Sequence, residues 1–137
     1  MARGTRLART VSRFGPPIAL MAVIFLLSHQ PDLGTGLGTI DLILRKLAHM
    51  TEYGLLWLLW LRALGWRAPW AAALTAVGYA ATDEWHQSFV AGRVGSPLDV
   101  AIDGAGVLVA ALLVHRTGLA RRMRARARRR DGALAAR

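Results

Sequence analysis

Four apolar segments, each near the length of one membrane-crossing helix, constrain this chain more than any other feature of its sequence. They cover about residues 14–27, 47–64, 69–87 and 97–115. A hydrocarbon core about 30 Å thick takes about 20 apolar residues of helix, and helices satisfy their own backbone hydrogen bonds there. The first segment is short, and snorkelling of Arg13 can extend it. The sequence therefore predicts an all-α integral membrane bundle of four transmembrane helices.

Short connections separate the four segments. Pro69 and Pro97 stand where a helix start tolerates proline, because the N–H groups of a first turn have no intrahelical partner. Residues 65–68 are too few for anything but a tight turn, so the second and third helices should be antiparallel neighbours. The glycine-rich stretch 33–39 predicts a loop. The amphipathic stretch 40–44 is expected to lie in the membrane interface before the second helix begins.

Most of the arginines lie near the two ends of the chain, whose formal net charge is +10. The basic stretches 1–13 and 117–137 are expected to flank a transmembrane domain at residues 14–116. Positive residues in short flanks mark the cytoplasmic side, so we expect a multi-pass plasma-membrane protein with both termini in the cytoplasm. The basic tail could also lie on anionic lipid. Because topology accounts for the arginines, no nucleic-acid partner is expected.

The remaining ionisable residues collect at one side of the predicted bundle. Seven of the eight carboxylates, the only lysine and three of the four histidines lie at helix ends that would share the outer leaflet. Ionisable groups near hydrocarbon are costly to desolvate, so such a cluster is a functional-site hypothesis. The predicted ligand-binding residues are Lys46, His49, Glu52, Asp83, Glu84, Gln87, Arg93, Ser96, Asp99 and Asp103.

Helical spacing places members of this cluster on shared faces. Lys46 and His49 are three residues apart on the second helix, and Asp99 and Asp103 are one turn apart on the fourth. The small residues 104–106 contain two glycines, which permit close contact between helices. Such polar faces are tolerated near lipid when they converge on one another.

The adjacent pair Asp83 and Glu84 allows several interpretations. Neighbouring carboxylates can share one proton at neutral pH, which suits general acid and base work. Alternatively, the pair forms salt bridges with Lys46, Arg93 or Arg45 and holds the helix ends together. The candidates for catalysis are Glu84, Asp83, His49 and His86.

The residue types in this cluster suit two further chemistries. Its histidines and carboxylates are atoms that a divalent metal accepts, but no recognised ligand motif is present, so neither a metal nor another cofactor is expected. Arg93 lies in the glycine-containing loop 90–97, just before a helix start. A guanidinium beside a helix N-terminus suits phosphate or carboxylate. The alternative for Arg93 is a salt bridge to Asp99.

Several motifs, in order, resemble the VanZ-like family of small bacterial membrane proteins. The motifs are Ser28-x-Gln30, Lys46-x-x-His49-x-x-x-Tyr53, Asp83-Glu84-x-x-Gln87-x-Phe89, Gly92-Arg93 and Ser96-x-x-Asp99. The resemblance covers about residues 18–115 and excludes the basic ends. One departure is Asp103, where the family usually has asparagine. The resemblance implies a bacterial plasma-membrane protein, and the family's name-giving member confers resistance to teicoplanin-type glycopeptides.

The sequence is compatible with three functions. The first is a binding module that recognises the head group of a cell-wall precursor lipid or a glycopeptide at the outer leaflet. The second is an intramembrane hydrolase or transferase acting on a lipid-linked phosphate or sugar, although no nucleophile is evident. The third is a structural assembly partner, in which the charges only specify helix packing.

Overall fold

The computed structural model describes residues 2–30 and 38–135 of the chain. All regular structure in these residues is α-helical, which confirms the predicted all-α class. The five helices are α1 (Ala2–Ser28), α2 (Thr39–Ala63), α3 (Pro69–Gln87), α4 (Pro97–Arg116) and α5 (Leu119–Ala135). Most of the predicted glycine loop at 33–39 lies outside the described residues. Within the described residues, two helical spans, Leu7–Ser28 and Pro97–Arg116, are long and apolar enough to cross a membrane.

The boundaries of α3 and the start of α4 agree with the sequence prediction. Proline occupies the first turn of each helix. Ser96 caps α4, because its Oγ accepts a hydrogen bond from the N–H of Leu98 at 3.2 Å. The connection between α2 and α3 is the predicted tight turn, in which Gly65 and Trp66 both adopt positive φ angles of 68° and 64°.

Helix α1 is longer than the predicted apolar segment, because it continues through the basic head of the chain. It contains Pro16 and Pro17, which lack the N–H needed for the intrahelical hydrogen bond. Pro16 therefore leaves the carbonyl of Ser12 without its usual partner four residues on. Arg62 of α2 donates from Nη1 to this oxygen at 3.3 Å. A side chain from a neighbouring helix thus supplies the hydrogen bond that proline removes.

Helix α2 begins at Thr39, eight residues before the predicted start at Leu47. The stretch 40–44 is therefore the first part of α2, and the prediction of a separate interfacial stretch is wrong. Ile40 and Leu44 are exposed there. The amphipathic pattern seen in the sequence continues in phase into the apolar segment, so nothing interrupts the helix.

Helix α2 is the centre of the bundle and packs against α1, α3 and α4. Its closest neighbour is α4, since a Cβ added at Gly106 would lie 2.1 Å from the carbonyl oxygen of Met50. One turn further along α2, a Cβ added at Gly54 would lie 3.0 Å from the carbonyl oxygen of Gly106. A Cβ on Gly104 would meet nothing within 4 Å, so Gly106 alone of the two predicted glycines serves the helix contact. This contact lies one turn or less from His49 and Asp103.

Large apolar side chains remain exposed over much of the bundle surface. Examples on three helices are Leu26, Trp70, Leu74, Leu108 and Leu113. Soluble monomers rarely expose continuous apolar surface on this scale, whereas lipid-facing helices require it. The buried interior is correspondingly small and consists mainly of α2 side chains packed against alanines of α3.

The basic tail forms a helix of its own, α5. Alanine and arginine favour helix formation. Arg124 donates from Nε to the carbonyl oxygen of Trp66 in the turn between α2 and α3. This contact places the start of the tail against the end of the bundle opposite the predicted polar site.

Candidate functional site

An open pocket of about 280 Å³ lies where α2 begins, α3 ends and α4 begins. The loop between α3 and α4 closes one side of it. The pocket is lined by Leu42, Arg45, Lys46, His49, Glu84, Gln87, Gly92, Arg93, Val94, Asp99, Ile102 and Asp103. Three cationic side chains and three carboxylates therefore share one small space with an imidazole.

Seven of the ten predicted ligand-binding residues line this pocket. They are Lys46, His49, Glu84, Gln87, Arg93, Asp99 and Asp103. Glu52, Asp83 and Ser96 lie outside its lining. Ser96 still contributes through its backbone, and Asp83 belongs to a buried network described below. Sequence spacing therefore identified most of the lining, while its use as a ligand site stays a prediction.

A salt bridge joins the two sides of the pocket. Lys46 of α2 donates from Nζ to Oδ1 of Asp99 on α4, and about one third of each side chain is exposed. The alternative in which Arg93 pairs with Asp99 is wrong, because Lys46 occupies that place. Lys46 does not form a salt bridge with Asp83, which is buried and accepts hydrogen bonds from Ser28 and Gln87.

Arg93 is held between two helix ends. Its Nε donates to the carbonyl oxygen of Gln30 at 2.9 Å, and its Nη1 donates to Oε1 of Gln87 at 3.2 Å. A guanidinium carries five N–H donors in a rigid fork. These two bonds orient the guanidinium at the pocket wall. They use two of its five N–H donors, so a ligand could accept from the others.

Glu84 is fixed by the loop that precedes α4. The backbone N–H of Ser96 donates to Oε2 of Glu84 at 2.9 Å. Gly95 makes this approach sterically feasible, since a Cβ there would lie 2.1 Å from the carbonyl oxygen of Glu84. The loop and the end of α3 are thus in direct backbone contact.

His49 and Asp103 form the floor of the pocket. Nδ1 of His49 lies 3.5 Å from Oδ1 of Asp103. Asp103 is 1% exposed, and among the described residues neither of its carboxylate oxygens makes a hydrogen bond. Glu84 is close by: one donor atom from each of these three residues lies within 4.8 Å of those of the other two.

Asp83 lies in a second, fully buried network beside the pocket. Ser28 donates from Oγ to Oδ2 of Asp83 at 2.8 Å, and Gln87 donates from Nε2 to the same oxygen at 3.0 Å. All three side chains are buried. The network connects the end of α1 to the end of α3, which favours a structural role for Asp83.

His86 is absent from the lining of this pocket and lines a separate groove between α1 and α3. Its ring stacks on Phe25 with centroids 4.5 Å apart. Its Nε2 lies 3.2 Å from Nδ1 of His29. Of the four catalytic candidates, only His49 and Glu84 therefore share the pocket.

Sequence reasoning did not assign five of the lining residues to the site. They are Leu42, Arg45, Gly92, Val94 and Ile102. Leu42 and Arg45 follow from the early start of α2, which brings a further helical turn into the pocket. The spacing of Leu42, Arg45 and His49 at i, i+3, i+7 is the signal that could have found them.

The fold and the pocket together define an all-α membrane protein with a charged site at one end of its helices. The family described as VanZ/LLP1 matches the sequence over residues 10–120. The chain therefore belongs to the VanZ/LLP1 family, which confirms the resemblance carried by its motifs. Neither the curated proteins nor the solved structures contain a significant match to it.

Proposed function

We propose that the pocket binds the head group of an anionic cell-envelope lipid. The observation that carries this proposal is the presence of three cationic side chains beside exposed apolar ones in a single pocket. Arg45, Lys46 and Arg93 line it together with Leu42 and Val94, both of which are exposed. A lipid phosphate is matched by charge-assisted donors, and its acyl chain requires adjoining apolar surface.

The carboxylates of the pocket narrow the ligand class. Asp99 and Glu84 would accept hydrogen bonds from amine or sugar hydroxyl groups of the same head group. Both signs of charge in one pocket favour a ligand that combines phosphate with such donors over a simple anion. A lipid-linked cell-wall precursor has this combination.

The size of the pocket supports a head group over an entire antibiotic. Its volume of about 280 Å³ lies just below the range of about 300–1,000 Å³ typical of pockets for drug-sized ligands. A glycopeptide would insert only one part of itself. Resistance to teicoplanin-type antibiotics would then follow from binding such a part, or from altered handling of the precursor lipid.

The proposal includes a topology in which α1 to α4 each cross the plasma membrane and both termini face the cytoplasm. The arginine-rich ends and Arg67 in the turn between α2 and α3 mark the cytoplasmic side. The pocket, at the other end of the helices, then opens at the outer leaflet. Because the chain has no cysteine, single cysteines can report this directly.

Labelling of spheroplasts with a membrane-impermeant maleimide tests the topology. Val94→Cys should react in intact spheroplasts, since Val94 is 86% exposed at the pocket rim. Arg67→Cys, which is also exposed, should react only after permeabilisation. The reverse pattern would overturn the proposed orientation.

The basic tail is proposed to lie on anionic lipid of the cytoplasmic leaflet. The arginines of α5 whose side chains are described are all exposed. Each cation near an anionic surface contributes about 1 kcal/mol. Removal of residues 119–137 should therefore leave pocket binding intact and lower the number of anionic lipids that copurify with the bundle.

Native mass spectrometry of the purified protein tests the head-group proposal. Arg93→Ala removes charge-assisted hydrogen bonds worth about 2 kcal/mol, which corresponds to about thirtyfold in affinity. Wild type should retain anionic lipid and this variant should lose it. Arg67→Ala is the matched control, because it deletes an exposed arginine far from the pocket. Equal retention by all three proteins would contradict the proposal.

A second candidate function is chemistry on the bound head group. The observation that favours it is His49 beside Asp103 in the pocket, since a carboxylate can orient an imidazole that acts as a general base. Turnover of lipid-linked phosphate or sugar in proteoliposomes should then be lost in His49→Gln. Activity that survives this substitution would exclude His49 as the base.

The teicoplanin susceptibility of a sensitive host that expresses the protein tests the antibiotic role. Expression of wild type should protect the host, and expression of Arg93→Ala at a matched membrane level should not. Protection by neither protein would restrict the function to endogenous lipids.

A further inference from the structure

His49, Glu84 and Asp103 bring one imidazole and two carboxylates from three different helices to one point in the pocket. One donor atom from each lies within 4.8 Å of the donor atoms of the other two. Donor atoms bound to a tetrahedral Zn²⁺ at about 2.0–2.2 Å stand about 3.4 Å apart. If side-chain rotation moved each donor atom by about 1 Å, all three would reach metal-binding distance.

The burial of Asp103 is the second, independent observation. Its side chain is 2% exposed, yet among the described residues neither of its oxygens makes a hydrogen bond. A buried carboxylate that makes no hydrogen bond is unfavourable, and His49, its ion-pair partner in the described residues, balances the charge only when the imidazole is protonated. The separation of 3.5 Å from His49 is longer than the 2.7–3.2 Å of an ordinary N–H···O hydrogen bond. It does match the spacing of two ligands on one ion.

The surrounding structure holds the ligands in place, as is usual for metal sites. The backbone N–H of Ser96 donates to one oxygen of Glu84 at 2.9 Å, which fixes the carboxylate. A carboxylate has more lone pairs than this one hydrogen bond uses, so Glu84 can still bind a metal ion. The close approach of Gly106 to Met50 fixes α4 against α2 beside Asp103 and His49. The three ligands are therefore carried by rigid elements.

We propose that His49, Glu84 and Asp103 bind a divalent transition metal ion, for which Zn²⁺ is the best match. One imidazole with two carboxylates suits Zn²⁺ and, less closely, Mn²⁺. Ca²⁺ requires six to eight oxygen ligands, and copper(I) prefers sulfur. With three protein ligands, a fourth position remains for water or a ligand on the open side of the pocket. Metal binding does not depend on the identity of the lipid.

The sequence did not reveal this site because its ligands are far apart along the chain. His49 and Glu84 are separated by a whole helix and turn, and Asp103 lies on the next helix. Local motifs detect ligand pairs within one helix or one loop. Only the packing of α2, α3 and α4 brings these three together.

Zinc binding by the full chain in detergent tests the proposal. Protein stripped with a chelator is dialysed against a Zn²⁺ series, and bound metal is measured by mass spectrometry. Wild type should bind one ion per chain. Loss of a residue that only supports a metal ligand costs about 10- to 100-fold in affinity. Loss of a ligand itself, in Asp103→Asn or His49→Gln, should therefore weaken binding by about a hundredfold or more.

Two control variants separate this site from its surroundings. Glu52→Gln removes a carboxylate one turn from His49 that lies outside the pocket lining, and it should bind zinc as wild type does. The ring nitrogens of His86 and His29 lie 3.2 Å apart, so these two histidines are a rival place for zinc. His86→Gln removes that rival site. It should also leave the one-ion stoichiometry unchanged.

Circular dichroism and gel filtration confirm that each variant is folded before its affinity is compared. If Asp103→Asn does not fold, Glu84→Gln replaces it, because Glu84 is less completely buried than Asp103. Absence of bound zinc in wild type would overturn the proposal. Zinc that persists in the ligand variants but is lost in His86→Gln would also overturn it. Lipid retention measured with and without chelator then reports separately on the head-group site.

Discussion

Replacement of Gly106 by alanine should destabilise the bundle and disturb the pocket together. A Cβ at this position would lie 2.1 Å from the carbonyl oxygen of Met50, where real Cβ contacts stay above 3.0 Å, so α2 and α4 must separate by about 0.9 Å. Overpacking of this kind costs about 1–3 kcal/mol, and the helix propensity of alanine returns about 1 kcal/mol. The net loss relative to wild type should be up to about 2 kcal/mol, measured by SDS-induced unfolding followed by circular dichroism.

Gly104→Ala is the matched control for this experiment. The same methyl group is added two residues away in the same helix, where it meets nothing within 4 Å. Its stability should equal that of wild type or exceed it by up to about 1 kcal/mol. Equal stability of Gly106→Ala and Gly104→Ala would refute the argument that α2 and α4 make backbone contact at Gly106.

Three further predictions follow from single contacts. Lys46→Met and Asp99→Asn should couple by about 1 kcal/mol in a double-mutant cycle of SDS unfolding, and additive effects would show that the salt bridge contributes nothing. Ser28→Ala leaves the buried carboxylate of Asp83 with one hydrogen-bond donor fewer, so the free energy of unfolding should fall by about 1–3 kcal/mol. Lipid retention should be unchanged, and a selective loss of lipid would argue against a structural role for this network. Gly95→Ala forces the loop away from the end of α3, because the added Cβ would lie 2.1 Å from a backbone oxygen. It should reduce retained lipid in native mass spectrometry, and unchanged retention would mean that the loop does not shape the pocket.

The helix starts that are marked by a residue in the helix itself were predicted correctly. Pro69 and Pro97 mark helix starts because proline suits a first turn, and both predictions agree with the structure. The start of α1 was not predictable in the same way. Its passage through Pro16 is accompanied by a hydrogen bond from Arg62 on another helix, and no local pattern contains that partner.

Helix faces were likewise easier to predict than the partners across them. The spacing of Lys46 and His49, and of Asp99 and Asp103, places all four on the pocket as expected. Which cation meets which carboxylate depends on how far each helix is rotated and shifted, and periodicity does not fix either quantity. This is why periodicity left a bridge from Arg93 to Asp99 as an alternative, whereas in the structure Asp99 pairs with Lys46.

The most direct test of the central claim compares two short-chain lipids with identical acyl chains, one with a phosphate head group and one with a neutral head group. Each is titrated into the purified protein, and the affinities are measured by calorimetry. We expect the phosphate lipid to bind at least tenfold more tightly to wild type, and this preference to disappear in Arg93→Ala. Equal affinity of wild type for the two lipids would contradict a head-group site in this pocket.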